Sequence, residues 1–281
     1  GHDYNGLFLS RYCALSLVFF SPCFRTHCAF FFMPRCLPTL SIGASLREGA
    51  VFSISKYVYE ASQTITSGSL AGVWIFSLGV DVNEFPFSDE LPGQLKVMLA
   101  SRLLWDKGVG EFIEASRQLK INYPEVTFVL VGDVDEQNPL SLTKEIIDSW
   151  VNEGFIEWWG HKQNMPEMLK LAHIVALPSY REGLPKSLLE AASTGRAIIA
   201  TDVPGCRTIC CHNKNGLLVS PRSVTDLSNA MQALLNDQKF CRRLGLKGRM
   251  MVENEFSSVK INSEFISLYG RLSSCPLEHV S

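Results

Sequence analysis

Two cations in this chain of 281 residues have the spacing to bind a phosphorylated ligand. Arg102 and Lys107 flank a short loop that follows an apolar run and leads into a predicted helix. Cationic side chains beside the free backbone N–H groups of a helix N-terminus favour a phosphate site. The alternative is a pair of solvated loop charges, and the spacing alone leaves both interpretations open.

A pair of carboxylates, Glu182 and Glu190, follows another apolar run at 174–177. Between them lie three residues suited to a helix start beside a ligand: Gly183, Leu184 and Pro185. Gly183 lets the backbone approach a ligand closely. Pro185 is predicted at the first helical position, where its missing N–H costs nothing. The free N–H groups of that first turn would face the same cleft and favour an anion.

Glu190 is predicted on this helix, about a turn and a half from its start. A carboxylate accepts hydrogen bonds from two hydroxyls at once, so Glu190 suits a diol such as ribose. The alternative is an (i, i+4) ion pair with Lys186, which would stabilise the helix by only about 0.3 kcal/mol. A Pro/Gly turn at 201–207 opens toward the same edge, either as a ligand loop or as a plain connection.

The pattern from about residue 90 to 272 shows how these side chains are positioned. Short, continuous apolar runs alternate with amphipathic segments, as in βαβ units whose parallel sheet is covered on both faces. The predicted strands are 97–100, 126–131, 155–158, 174–177, 197–200 and 216–219. The predicted helices are 108–123, 140–151, 166–172, 185–193, 224–235, 238–253 and 258–271. We therefore predict a doubly wound, Rossmann-like α/β domain, with ligands at the carboxyl ends of its strands.

Taken together, these motifs resemble those of a known enzyme family. The segment 79–271 resembles the nucleotide-sugar-binding half of a family 4 glycosyltransferase with the GT-B fold. Four pieces occur in the family's order: Gly79-Val80-Asp81 with Phe85, Arg102 with Lys107-Gly108, Glu182-x7-Glu190, and Asp202-Val203-Pro204-Gly205. The amino-acid sequence from Glu182 to Arg207 is most similar to that of bacterial enzymes that build lipid-linked oligosaccharides, capsule or O-antigen.

The resemblance implies a retaining transfer of a sugar from a nucleotide diphosphate sugar to a lipid-linked or glycan acceptor. It implies no essential metal and no other cofactor; UDP is expected as the nucleotide, with GDP left open. Arg102, Lys107 and the helix opening at Pro185 would stabilise the leaving diphosphate. By the family pattern, Glu182 contacts the donor sugar, Glu190 the ribose, and Gly160 lies where the base is bound.

Composition excludes some other classes. Lys and Arg number 26 and Asp and Glu 28, and this net charge of −2 argues against a nucleic-acid binder held by bulk charge. No uncharged apolar stretch reaches about 18 residues, so a standard transmembrane helix is not expected. The nine scattered cysteines indicate free, buried thiols in a reducing cytosol. We expect a cytoplasmic protein, with peripheral association at the inner membrane face as an open alternative.

The N-terminal part differs in composition. Residues 1–70 hold eight of the 17 Phe and four of the nine Cys. We predict an irregular segment at 1–75, the donor domain at 76–272 and a tail at 273–281. The first segment matches a signal peptide poorly. It is either a membrane-surface anchor or a truncated or frame-shifted remnant of the acceptor domain, since a GT-B enzyme has two domains of similar size.

Three functions follow from these alternatives. The first is a glycosyltransferase, complete or acting with a missing partner half. The second is a non-catalytic domain that holds a nucleotide sugar without turnover. The third is an accessory protein at a membrane surface.

Overall fold

The computed structural model describes residues 79–89 and 93–274, with four short strands nearer the N-terminus. The chain divides into two compact units, residues 1–76 and 77–281. In the first unit, Ser16–Phe19 pairs antiparallel with Cys28–Phe31, and Phe52–Ser53 pairs parallel with Trp74–Ile75. The rest of this segment lies outside the described residues, so its three interpretations stay predictions.

The second unit contains a six-stranded, all-parallel sheet. Its strands are β1 (Lys96–Ala100), β2 (Thr127–Val131), β3 (Ile156–Trp158), β4 (Ile174–Leu177), β5 (Ala197–Thr201) and β6 (Gly216–Val219). The spatial order is β6-β5-β4-β1-β2-β3. This arrangement confirms the predicted doubly wound α/β fold, and each strand lies within one residue of its predicted bounds.

The helices connect the strands and cover the sheet. They are α1 (Val109–Asn122), α2 (Lys144–Asn152), α3 (Met165–Leu171), α4 (Lys186–Ser193), α5 (Pro204–Arg207), α6 (Val224–Asn236), α7 (Gln238–Met251) and α8 (Ser258–Ser274). The crossovers from β1 and β4 run in opposite directions along the sheet, and because such connections are right-handed as a rule, we expect α1 and α4 on opposite faces. Every residue of β2, β4 and β5 is buried, which explains their continuous apolar sequences.

Three helix predictions were wrong by two or more residues at one end. The last helix, expected to end at residue 271, continues to Ser274. The helix expected from residue 140 begins at Lys144, because the preceding backbone pairs with another loop: Trp105 N–H donates to Leu140 O, and Leu142 N–H to Leu103 O, each at 2.9 Å. The helix expected to continue to residue 253 ends at Met251 and passes into one π-helical turn. The late start of α2 therefore depends on contacts distant in sequence.

The strand order places a crevice between β1 and β4. The chain proceeds from β1 toward β3 on one side and from β4 toward β6 on the other, so the loops after β1 and β4 separate at the topological switch point. These loops also touch, because a Cβ added at Gly108 would lie 2.1 Å from Pro178 O. Gly108 has a φ of +73°, a conformation that glycine adopts without strain.

Four of the cysteines lie within residues 93–274, and all four are free thiols. Cys206, Cys210 and Cys241 are buried, as predicted, whereas Cys211 is exposed. Within the same part of the chain, none of the helices combines the length and apolar character needed to cross a bilayer.

Candidate functional site

The loop after β1 carries both predicted phosphate-binding cations. A short turn at Trp105–Lys107 leads through Gly108 into α1. Arg102 reaches the loop after β2, where its Nη1 lies 3.1 Å from Asp135 Oδ2; its side chain is 65% exposed. Lys107 instead points toward the loop after β4. The two cations thus share a loop but have different carboxylate partners.

Glu182 is the partner of Lys107. Lys107 Nζ donates to Glu182 Oε1 at 2.7 Å, and the two side chains are only 17% and 12% exposed. The backbones of these loops are also joined, because Tyr180 N–H donates to Asp106 O at 2.8 Å and Ser179 Oγ donates to the same oxygen at 3.1 Å. The structure therefore brings together two residues that the sequence assigned to separate motifs.

The helix that carries Glu190 begins one residue later than predicted. Pro185 stands at the position before α4 rather than at its first residue, because its ψ of 104° is extended. Its carbonyl accepts the N–H groups of Leu188 and Leu189. Leu184 and Pro185 are buried, while Gly183 is exposed beside open space, so a ligand can approach its backbone.

Glu190 is a buried carboxylate on α4, with a relative exposure of 9%. Lys186 Nζ lies 3.4 Å from its Oε1, which is the (i, i+4) pair considered as the alternative to a ligand role. Burial raises the pKa of Glu190, and the Lys186 ammonium opposes this rise. Lys186 is 66% exposed and therefore solvated, so the pair does not fully compensate the desolvation of Glu190.

Gly160 follows β3 at the same edge of the sheet. Its φ is +68°, and a Cβ added there would have no neighbour within 4 Å. Gly132 N–H donates to Gly160 O at 3.0 Å, and Trp158 Nε1 donates to Gly132 O at 3.0 Å. These bonds hold Gly160 beside the end of β2, with free space on the side where a side chain would project.

The predicted turn after β5 becomes a short helix, α5, packed on the Glu182 loop. A Cβ added at Gly205 would lie 2.2 Å from Glu182 O, so only glycine permits this approach. The adjacent Cys206 is fully buried, and burial raises the pKa of its thiol to about 12. It is therefore an unreactive packing residue at neutral pH.

A second cluster near Lys107 and Glu182 was not predicted from the sequence. The Tyr180 hydroxyl donates to Glu111 Oε1 at 2.6 Å, and the Arg222 guanidinium lies 4.5 Å from the centre of the Tyr180 ring. Burial and the bond to Glu111 raise the pKa of Tyr180 to about 12. The three residues come from different parts of the chain, so no local spacing could have revealed them.

A clamp behind Glu190 was also missed. Arg249 Nη1 donates to Phe85 O at 2.9 Å and to Ser193 O at 2.7 Å. Ser193 Oγ donates to Phe85 O at 2.8 Å. These bonds fasten the segment before the sheet to the last residue of α4, one turn beyond Glu190.

Comparison with known families assigns the domain to one of them. Residues 81–251, more than half of the chain, match the family model described as Glycosyl transferases group 1. The chain belongs to this family. The matched residues begin just after Val80 and contain all the candidate site residues of this group 1 glycosyltransferase domain.

Curated relatives of the domain are bacterial glycosyltransferases. The chain is 35% identical over 177 residues to N,N'-diacetylbacillosaminyl-diphospho-undecaprenol alpha-1,3-N-acetylgalactosaminyltransferase of Campylobacter jejuni, covering 63% of this chain and 44% of that protein. It is 26% identical over 194 residues to UDP-Gal:alpha-D-GlcNAc-diphosphoundecaprenol alpha-1,3-galactosyltransferase of Escherichia coli, covering 68% and 47%. The chain thus spans about half the length of these relatives.

Solved structures show the same fold. Sucrose-phosphate synthase from Thermosynechococcus elongatus has a TM-score of 0.69 at 24% identity, covering 80% of this chain and 58% of that chain. HepE from Anabaena, solved in complex with UDP, has a TM-score of 0.67 at 22% identity, covering 79% and 64%. The likeness confirms a GT-B glycosyltransferase fold for the group 1 domain.

Proposed function

We propose that this chain is the donor-binding part of a retaining, family 4 glycosyltransferase that transfers a sugar from a UDP-sugar to a lipid-linked or polysaccharide acceptor. The observation that carries the proposal is the convergence of Lys107, Glu182 and α4 at the carboxyl edge of β1 and β4. The relatives support the acceptor class, since two are named for diphospho-undecaprenol substrates. One relative is named for a UDP-sugar and one similar structure contains UDP.

Charge stabilisation is the chemistry that this arrangement supplies. As the bond between the sugar C1 and the diphosphate breaks, negative charge grows on the leaving phosphate oxygen. Lys107, Arg102 and the free N–H groups at the start of α4 place positive charge there. The acceptor hydroxyl forms the new C1–O bond on the same face and gives its proton to the departing phosphate. These fixed groups do the work of a cation, so the proposal includes no essential metal.

The remaining site residues bind the donor's other parts. Glu182 lies next to Lys107 and would accept a hydroxyl of the donor sugar. Glu190 would accept the two ribose hydroxyls, and the base would lie over the open side of Gly160. Backbone groups of Gly183, with Leu184 and Pro185 buried beneath it, would line the sugar and phosphate pocket. We place the reaction at the cytoplasmic face of the membrane, where a lipid-linked acceptor would be reached peripherally.

Calorimetry with UDP and with uridine, both in EDTA, tests the donor site. We expect saturable UDP binding in the presence of chelator. Glu190→Ala should lower the affinity for both ligands by about tenfold, whereas Arg102→Ala should lower the affinity for UDP much more than that for uridine. Equal affinities of the original protein and both variants would show that the site is misplaced.

A transfer assay separates the enzyme from its alternative, a non-catalytic nucleotide-sugar-binding domain. The assay combines the chain, a UDP-sugar and a diphospho-undecaprenol-linked acceptor. Transfer with retained anomeric configuration supports the enzyme. UDP binding without transfer, from the same folded sample, favours the binding domain.

A further inference from the structure

The cations around the candidate donor site differ in their partners. Three are matched to carboxylates: Arg102 to Asp135, Lys107 to Glu182, and Lys186 to Glu190. Two arginines on neighbouring loops are not. Arg181 and Arg222 are both exposed, and neither forms an ion pair with any carboxylate in the described part of the chain. The edge of the site therefore carries two cations whose charge is not used by the protein.

Arg222 is held in one place although it has no ion pair. Its guanidinium stacks 4.5 Å from the centre of the Tyr180 ring, and the Tyr180 hydroxyl is fixed on Glu111 at 2.6 Å. Its backbone has a φ of +62°, a left-handed conformation that costs about 1 kcal/mol for most side chains. A stacked guanidinium keeps its in-plane N–H donors free. Arg222 thus presents an oriented donor fork to solvent.

Arg181 follows Tyr180 directly in the chain. Its backbone is anchored, because the Oγ of the fully buried Ser179, which donates to Asp106 O at 3.1 Å, also lies within hydrogen-bond distance of Arg181 O, at 3.2 Å. Its side chain is exposed, and the next residue is Glu182. Both arginines therefore lie next to Tyr180, Arg222 through its stack on the ring and Arg181 as the following residue of the loop that carries Glu182.

The chemistry of two unpaired arginines indicates a phosphate-bearing ligand. Planar guanidinium groups bind phosphate oxygens in bidentate fashion, and an oriented fork loses less entropy in doing so. The donor diphosphate is already assigned to Arg102, Lys107 and α4. We propose that Arg222 and Arg181 form a second anion site at the margin of the donor site, which binds the diphosphate of a lipid-linked acceptor. This inference rests on the proposed function and names the part of the acceptor that is recognised.

Farnesyl diphosphate, a short polyprenyl diphosphate, is a suitable probe. Its binding to the chain is measured by calorimetry with saturating UDP present, so that the donor site is filled. Arg222→Asn removes the guanidinium and keeps a residue that tolerates a positive φ. We expect its affinity for farnesyl diphosphate to fall at least about tenfold, with a smaller fall for Arg181→Gln and an unchanged affinity for UDP.

Arg243 provides a matched control. It is also exposed and stacks on an aromatic ring, 4.9 Å from the centre of Phe240, but it lies on α7. Arg243→Gln should leave farnesyl diphosphate binding unchanged. Inorganic pyrophosphate should compete with the probe in the original protein, because the phosphates and not the lipid chain are recognised.

Several results would overturn the proposal. The first is an affinity of Arg222→Asn for farnesyl diphosphate equal to that of the original protein. The others are an equal loss of this affinity in Arg243→Gln, and bound farnesyl diphosphate that pyrophosphate cannot displace. A loss of flotation with phosphatidylglycerol vesicles in Arg222→Asn, without any change in diphosphate binding, would assign the arginines to a membrane surface instead. Failure of the original protein to bind UDP would contradict the proposed function, whereas intact UDP binding with an unchanged affinity of Arg222→Asn for farnesyl diphosphate would overturn this inference alone, so the two failures are distinguishable.

Discussion

Lys107 and Glu182, 75 residues apart in the chain, form a 2.7 Å ion pair between the loops that follow β1 and β4. Both side chains are largely shielded from water, so the pair is more than a surface contact. It links the cation expected on the leaving diphosphate to the carboxylate expected on the donor sugar. A bound diphosphate would draw Lys107 toward itself and leave a Glu182 oxygen free for a sugar hydroxyl.

Substitution of either residue of this pair should destabilise the domain. Lys107→Met and Glu182→Gln should each lower the free energy of unfolding by about 1–3 kcal/mol, because each leaves a poorly solvated polar group without its partner. The double variant should lose less than the sum of the two. Urea unfolding of the four proteins gives the coupling energy, and strict additivity would show that the two residues do not interact in solution.

The raised pKa of Glu190 leads to a pH dependence of nucleoside binding. Ribose hydroxyls donate to the ionised carboxylate, so binding should weaken as the pH is lowered from 7 toward 4.5 and Glu190 takes up a proton. Uridine is the ligand to use, since it has no phosphate that titrates in this range. Calorimetry at a series of pH values should show the fall in the original protein and a weak, flat profile in Glu190→Gln.

Lys186 supplies a control for this assignment. Its ammonium lowers the pKa of Glu190 against the effect of burial, so Lys186→Met should move the loss of uridine binding to higher pH. A profile that stays in place in Lys186→Met, or that persists in Glu190→Gln, would mean that another group titrates.

Gly160 can be tested against a glycine with the same backbone constraint. Gly160 and Gly154 have φ of +68° and +81°, and a Cβ at either position would meet nothing within 4 Å. Alanine at either position should therefore lower the free energy of unfolding by about 1 kcal/mol, from backbone strain alone. Only Gly160→Ala should also weaken UDP binding, because its methyl group would occupy the space proposed for the base. Equal UDP affinities of the two variants would remove Gly160 from the site.

His173 should make the domain sensitive to acid. It is 3% exposed, and burial, aided by the Arg196 guanidinium, lowers its pKa to about 4. The unfolded chain binds a proton near pH 6.5 but the folded chain does not until about pH 4, so stability falls as the pH is lowered between these values. The full loss is about 3 kcal/mol.

The variant His173→Asn keeps an acceptor for the Lys96 N–H, which His173 Nδ1 accepts at 3.2 Å, and removes the titration. Thermal unfolding from pH 7 to 4 should show a shallower decline in stability for this variant than for the original protein. Parallel declines would mean that His173 is not the group responsible.

The strands and helices of this protein can be predicted largely from its sequence. Continuous apolar runs such as Ile174–Leu177 predicted the strands, and the alternation of runs with helical stripes predicted a parallel, doubly wound sheet. Once the strands are placed, the rule that ligands bind at their carboxyl ends locates Arg102, Glu182 and Gly160 at one edge. The strand and fold predictions are confirmed because they depend only on residues near one another in the chain.

Tertiary structure alone decided which of these residues are partners. The pairing of Lys107 with Glu182, the stacking of Arg222 on Tyr180 and the clamp of Arg249 on Ser193 each join separate elements. The late start of α2 has the same origin, since its preceding residues bond to the loop after β1. Such contacts depend on strand order and loop approach, and local periodicity contains no information about either.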